Sequence, residues 1–409
     1  MAIMRRRLRV LGTTRLSILL GIPHAFRLCL EQEPMTPHSK IKLVISDFHL
    51  SKGKWLPNGK RNPLEDFHQD ERFNEFLEHY STGAYSETEV ELIINGDFFD
   101  PLAVVPAQAG HLEYPLEVEE PAAVDKFKKI LEGHPVVVAA LKAFFQRGKR
   151  VVFRWGNHDA GLLWPLVQNH LRDVFAPPAP GQLSFQQAPY LFDRILIDHG
   201  HQFEALNQFD ESNMFIQRRT SEGSKLIQNL PFGSFFVLGF LNRVKLQQHF
   251  INQVQPFRNY LKILILFSPI FFFINGARVI WFFIKMRFIT HPMRFARFRK
   301  TILLMLEAIH RPSLAEIAEE RLLKPEPDMP EIDTLILGHN HQAGVQIFPS
   351  GKQYINTGTW TPITSLEMST LGHRILRTYA LIEYLEGESR ARATLKIWHG
   401  QPQIHEDYS

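Results

Sequence analysis

The chain has 409 residues, 44% of them hydrophobic and 22% charged, with 24 Gly and 26 Pro, a balance that excludes collagen-like, low-complexity and globally disordered classes. Its one cysteine, Cys29, excludes an internal disulfide framework and a cysteine-based zinc cluster, so any metal site must use His, Asp, Glu or Asn. The net charge of +4 conceals +6 in residues 1–30 and +9 in residues 258–311, which leaves −11 for the remainder. Cationic segments attached to an acidic body suit an anionic surface as partner.

Residues 1–40 read as a basic N-terminal arm containing one short apolar run, Ser17–Ile22. That run is too short for a secretory segment and lacks a small-residue cleavage site after it. Folding is expected to begin near Ile41, and Met35 is an alternative start.

From there, short apolar runs each end in a polar cluster. Lys42–Ile45 precedes Asp47-Phe48-His49, and Glu91–Ile94 precedes Gly96-Asp97-Phe98-Phe99-Asp100. Arg150–Phe153 precedes Gly156-Asn157-His158-Asp159, and Arg194–Ile197 precedes His199-Gly200-His201. Thr334–Leu337 precedes Gly338-His339-Asn340-His341, and Gln353–Ile355 precedes Asn356-Thr357-Gly358. Continuous apolar runs of this length predict strands buried on both faces, and helical stretches such as Val124–Leu131 and Val136–Gln146 lie between them. The alternation predicts an α/β layered fold.

Residues 203–330 break the rhythm and read as an inserted helical segment, with 41–202 and 331–400 forming the body around it. Gln208–Lys225 is polar and contains Arg218-Arg219; Ser313–Leu323 reads as an amphipathic helix. Residues 261–284 are long and apolar enough to span a bilayer, but Lys262, Pro269, Asn275 and Arg278 interrupt them. A single crossing would also separate the motif at 199 from that at 339. A helical hairpin broken near Pro269 or Asn275-Gly276, dipping into one leaflet, satisfies both constraints. The Arg- and Phe-rich stretch 285–300 then predicts an interfacial basic helix on anionic lipid. A buried core of a soluble cap is the rival reading; nucleic acid, which would use the same residue types, is disfavoured.

Ligands of open α/β sheets bind beyond the carboxyl ends of strands, so Asp47, His49, Asp97, Asn157, His199, His339 and His341 can converge on one crevice. Period-two strand exits would put Asp47 with His49, and His339 with His341, on one side. Oxygen and imidazole donors without thiolate suit a pair of divalent ions, Mn²⁺ above all, with Fe²⁺ or Zn²⁺ as alternatives. Each fragment alone is a weak signal, and a lone strand-end His is more often structural. Five in order, each behind a strand, carry the prediction together.

These five motifs resemble the signature of the calcineurin-like metallophosphoesterase superfamily, over roughly 41–201 and 331–395. The resemblance implies a four-layer αββα sandwich, here with an inserted helical, apolar and basic cap. It implies Asp47, His49 and His341 on one metal, Asn157, His199 and His339 on the other, and Asp97 between them. A dinuclear centre of this kind activates a bridging hydroxide for in-line attack on a phosphoester or pyrophosphate. His158 is then expected to stabilise the transition state or protonate the leaving oxygen, with Asp159 orienting its ring. Asp100 and His201 are expected behind the ligands, and Arg218 and Arg219 as substrate contacts.

An insertion at this point that handles acyl chains is similar to the UDP-2,3-diacylglucosamine diphosphatase family, although that family has Arg at the position of His158 and an acid at that of His201. The expectation is a phosphorylated or pyrophosphate-containing, lipid-linked substrate, an anionic membrane surface, no protein partner, and a cytoplasmic location with peripheral or monotopic attachment. A soluble nucleotide or phosphoprotein phosphatase, and an inactive scaffold on the same fold, are the alternatives.

Overall fold

The computed structural model describes residues 40–105, 118–220, 223–255, 257–285, 313–323, 330–366, 371–384 and 390–400, all within one compact unit, His38–Ser409. The basic arm 1–40 lies outside them except for Lys40, as do Arg287, Arg294, Arg297, Arg299 and Lys300 of the expected interfacial helix.

The predicted apolar runs are strands: β1 (Lys40–Ile45), β2 (Glu89–Asn95) and β3 (Arg150–Arg154), followed by β4 (Leu183–Gln186), β5 (Tyr190–Phe192) and β6 (Ile195–Ile197). A hairpin, β7 (Phe215–Thr220) with β8 (Gly223–Gln228), and the short β9 (Val254–Gln255) lie in the inserted segment. After it come β10 (Thr334–Leu337), β11 (Gly344–Ile347), β12 (Gln353–Asn356), β13 (Ile363–Ser365), β14 (Gly372–Arg374), β15 (Thr378–Glu383) and β16 (Arg392–Ile397). One sheet has the order β16-β15-β1-β2-β3-β4 and the other β11-β12-β10-β6-β5. Strands β1 to β4 run parallel to one another, as do β6, β10 and β12, while β15, β5 and β11 pair antiparallel with β1, β6 and β12.

Side-chain alternation along these strands builds the layers. Val44, Ile93, Val152, Ala380 and Ile382 of the first sheet meet Ile195, Ile197, Ile336 and Ile355 of the second in one apolar cluster. The opposite face of the first sheet, with Ile41, Leu43, Ile45, Leu92, Ile94, Val151 and Phe153, is covered by helices α1 (Asp70–His79), α2 (Glu120–Gly133), α3 (Pro135–Gln146) and α4 (Pro165–Phe175). Beyond the second sheet, Leu196, Leu335 and Leu337 pack on Ala318 and Leu322 of the helix Leu314–Leu323. Because both faces of each sheet are covered, the strands read as unbroken apolar runs rather than alternating ones.

The inserted segment is less uniformly helical than its sequence suggested. The polar stretch Gln208–Lys225 runs into the hairpin Phe215–Gln228, in which Ile216 pairs with Ile227 and Arg218 with Lys225 across the strands; the period-two pattern was hidden by its polar residues. Among the described residues, four further helices precede residue 286: α5 (Phe232–Phe236), continued through a π turn (Val237–Leu241) into α6 (Asn242–Lys245), then α7 (Phe257–Phe267) and α8 (Pro269–Lys285). The helix Leu314–Leu323 is accordingly α9.

The chain breaks at Ser268-Pro269, where proline can only begin a helix. It does not break at Asn275-Gly276, because Asn275 bonds the Phe271 carbonyl and Arg278 bonds Asn275, which satisfies the polar groups within α8. One side of α7 packs through Tyr260 and Leu264 on Val244, Ile251 and Val254. Leu266 and Phe267 of α7 and Ile270 and Phe273 of α8 are 74%, 80%, 75% and 67% exposed. Among the described residues no helix is long and apolar enough to cross a membrane.

Candidate metal centre

All seven expected ligands come from the carboxyl ends of β1, β2, β3, β6 and β10, so both sheets contribute to one cluster. Three groups of ligand atoms lie within 4.8 Å of one another: Asp47, His49 and His341; His49, Asp97 and His158; and Asp97, His199 and His339. The members are buried or half-buried.

They do not leave the strands in simple extended alternation. Asp47, His49, Asp97, His339 and His341 all have positive φ, between 51° and 73°. Left-handed backbone in five non-glycine residues is strained, and such strain persists only where surrounding contacts fix it. Here the loops bind one another: the N–H groups of Asp47 and His49 donate to the carbonyls of Gly96 and Asp97, and the His339 N–H to Asp47 Oδ2. Two glycines make the close approach possible. A Cβ on Gly96, whose φ is +83°, would overlap the His199 ring, and one on Gly156 would overlap the Asp97 carboxylate.

Ring orientation is set from behind. His199 Nδ1 lies 2.8 Å from the Asn95 carbonyl and so must donate to it, which directs Nε2 into the cluster, 3.2 Å from Asp97 Oδ2. His49 Nε2 and His341 Nε2 face each other at 3.0 Å, and His341 Nε2 lies 3.5 Å from Asp47 Oδ1. Asp97 Oδ2 is also 3.9 Å from His49 Nε2, which places this carboxylate between the two histidine groups.

The donor set fits divalent cations. Asp47 Oδ1, Asn157 Oδ1 and His199 Nε2 are buried and lack hydrogen-bond partners, an expensive condition for polar atoms unless something else bonds them. Burial opposes charge on His199, yet Asp97 and Asp47 outweigh it and push the imidazole up to about 10. The pocket therefore calls for positive charge. Burial pushes His341 down to about 4, leaving it neutral as a ligand must be.

His158 stands beside this cluster, its ring edge-on to His49 at 4.6 Å. Its expected partner is corrected: Asp100 Oδ1, not Asp159, lies 3.0 Å from His158 Nδ1. Asp159 turns the other way and accepts the backbone N–H groups of Phe98, Phe99 and Gly156, tying the second motif to the third. Burial disfavours a charged His158, but Asp100 and Asp97 overcome it and raise the imidazole to about 9.

His201 does not line the cavity over the cluster. It is buried between Trp155 and Phe209, with ring centroids 4.7 and 5.8 Å away, and packs behind His199. Arg218 and Arg219 sit on β7 and do not line that cavity either; the hairpin carries them elsewhere.

Three residues of the site were not legible in the motifs. Glu204 Oε2 reaches His339 Nε2 at 2.6 Å. Lys245 Nζ and Asp66 Oδ2 form a buried pair at 2.7 Å, and Asn252 and Gln253 also donate to Asp66. All three line a cavity of about 350 Å³ above the cluster. Its lining also includes the apolar Leu206, Phe232, Phe236, Val237 and Leu241.

Residues 42–231 match the family model described as calcineurin-like phosphoesterase. Among solved structures, the calcineurin-like phosphoesterase YfkN from Bacillus subtilis is 12% identical, with a TM-score of 0.30 over 87% of this chain and 90% of that one. No curated protein matches the chain. With the matched domain, the two-sheet architecture and the Asp/His cluster together, the chain carries the calcineurin-like metallophosphoesterase fold and is a metal-dependent phosphoester hydrolase.

Proposed function

We propose that this protein hydrolyses a phosphoester or pyrophosphate bond of an amphipathic, lipid-linked substrate at a membrane surface, using a dinuclear centre, with Mn²⁺ the favoured ion. The observation that carries it is the mixed lining of the cavity: His49, Asp97, Asn157, His339 and His341 share it with Phe232, Phe236, Val237 and Leu241. A substrate presenting a phosphoryl group to one and a hydrocarbon portion to the other would satisfy both.

Asp47, His49 and His341 would hold one cation, Asn157, His199 and His339 the other, and Asp97 both. Such a pair supplies a hydroxide nucleophile at neutral pH and Lewis acidity toward phosphoryl oxygens. Around it, the chain's own groups take defined parts. Asp100 holds the His158 ring so that Nε2 can donate a proton or hydrogen bond to the leaving oxygen. Lys245, kept in the cavity lining by Asp66, adds an ammonium group to it. The apolar part of the lining excludes water from the reacting groups.

The exposed side of α7 and α8 supports the membrane part of this reading, since Leu266, Phe267, Ile270, Phe273 and Trp281 form an apolar surface larger than isolated exposed residues would give. The two helices are short enough to dip into one leaflet without crossing it. These features are in keeping with the likeness to UDP-2,3-diacylglucosamine diphosphatase, whereas His158 and His201 depart from it.

A panel of phosphoesters with short and long acyl chains, assayed with Mn²⁺ in nanodiscs, tests the substrate. Rates that rise with chain length are expected; rates indifferent to it, with the protein failing to float with anionic nanodiscs at low salt, would overturn the lipid reading.

A further inference from the structure

A second cavity, of about 600 Å³, adjoins the first and shares Asp66 and Gln253 with it. Three parts of the chain enclose it: the loop Arg61–His68, the stretch His249–Gln253 of the inserted segment, and the β13–β14 hairpin through Thr364 and His373. Its chemistry is basic and donor-rich. Arg61 contacts His68 Nε2 at 3.1 Å and has no carboxylate partner among the described residues. Because the guanidinium can only donate, Nε2 accepts and the proton of His68 sits on Nδ1, which is buried and has no partner. His249 stands edge-on to Phe250, and His373 Nδ1 is 3.2 Å from Thr364 Oγ1.

The two acids in the wall are already committed. Asp66 is neutralised by Lys245 and bonded by Asn252 and Gln253. Glu65 accepts the N–H groups of Ser51, Gly53 and Phe67 and pairs with His134 at 3.1 Å. What lines the cavity without a balancing carboxylate is therefore the Arg61 guanidinium, with the His249 and His373 rings beside it, while Phe250, Pro63 and Pro362 supply apolar sides.

We propose that this second cavity is an anion subsite for a phosphoryl group carried on a compact organic body such as a nucleoside or sugar. The guanidinium and imidazole donors would bind the phosphoryl oxygens, and the Pro and Phe sides the body. The volume suits a ligand of that size. Two sources share this chemistry: a distal phosphoryl group of the molecule cleaved at the metal centre, or a separate phosphorylated molecule. The first source deepens the proposed function and rests on it; the subsite itself does not.

Titration calorimetry with adenosine 5′-monophosphate, in full-length protein carrying Asp97→Asn so that the nucleotide is not turned over, tests the subsite. Adding Arg61→Ala or His249→Ala should weaken binding at least about tenfold, the scale of one lost charge-assisted contact. Both positions are exposed, so folding should survive the changes. Absence of binding, or an affinity that ignores both added substitutions, would overturn the proposal.

Kinetics in the otherwise unmodified protein then separates the sources. A loss on Arg61→Ala that is greater for adenosine 3′,5′-bisphosphate than for 4-nitrophenyl phosphate identifies the substrate's own second group. Equal losses, with adenosine 5′-monophosphate altering the 4-nitrophenyl phosphate rate only when Arg61 is present, identify a separate molecule. Failure of the metal-centre reading would show instead as unchanged turnover in Asp97→Asn, leaving the calorimetric result untouched.

Discussion

The strand-end cluster and the consecutive helices α7 and α8 solve opposite problems with the same resource, apolar burial. At the strand ends, two covered sheets bury carboxylates and imidazoles so deeply that Asp47, Asp97 and His199 are essentially inaccessible. Fixed backbone then holds five of the seven expected ligands in left-handed conformations. In α7 and α8, side chains that would ordinarily be core are left outside, with Phe267 80% exposed. The first region is built to keep polar groups from water and the second leaves apolar groups in it. Each is costly for an isolated chain, and the cost is recovered when something else is bound.

If that contrast is right, the largest effect belongs to the shared carboxylate. Asp97→Asn should reduce kcat on the order of a thousandfold and lower the metal content measured by plasma emission, with little change in the far-ultraviolet circular dichroism. Turnover equal to that of the parent protein would remove the metal centre from the mechanism.

Next come the two acids whose roles the fold exchanges. Asp100→Asn should lower kcat about 10- to 100-fold while metal is retained, because it frees the His158 ring. Asp159→Asn should instead lower the melting temperature, since that carboxylate holds three backbone N–H groups. An Asp159 variant with parental stability and the deeper kinetic defect would restore Asp159 as the partner of His158.

Helices α7 and α8 should respond on a smaller scale and in a different assay. Phe267→Asp combined with Ile270→Asp should weaken flotation with anionic nanodiscs at least about tenfold, given roughly 1.5–3 kcal/mol for each large apolar side chain removed from water. Hydrolysis of a water-soluble phosphoester should be kept. Unchanged flotation would assign the exposed face to something other than lipid.

The smallest effect tests the frame that supports both regions. His134 lies buried at the junction of α2 and α3, 2.7 Å from Asp70 and 3.1 Å from Glu65. Burial lowers its proton affinity, but these two acids prevail and raise it to about 9. A folded-state value above the unfolded one near 6.5 means that the stabilisation is complete below about pH 6.5 and is lost as pH rises through 9. The urea-midpoint difference between the parent protein and His134→Gln should therefore shrink from pH 6 to pH 10, by about 1–2 kcal/mol in stability. A difference constant across that range would show that the pair carries no net charge energy.

Much of this molecule was legible before its fold was known. Lys42–Ile45, Glu91–Ile94 and Thr334–Leu337 announce themselves as strands because burial on both faces demands consecutive apolar residues, and the polar clusters after them mark the strand ends. The hairpin at Phe215–Gln228 was not legible, since an edge of alternating polar residues looks like any exposed loop. Nor was the identity of the acid behind His158: adjacent residues 158 and 159 leave a turn in opposite directions, and chain proximity says nothing about which carboxylate a ring will meet.

The amino-acid order alone thus determined the layered class, six of the strands (β1, β2, β3, β6, β10 and β12) and the seven polar side chains that follow five of them, because periodicity and strand-end position are properties of local chain geometry. Tertiary packing alone decided that Asp100 serves His158, that Glu204 reaches His339, and that Lys245 and Asp66 share a wall of the cavity. Those partners are 58, 135 and 179 residues apart. Contacts over such separations exist only once the whole core has closed around them.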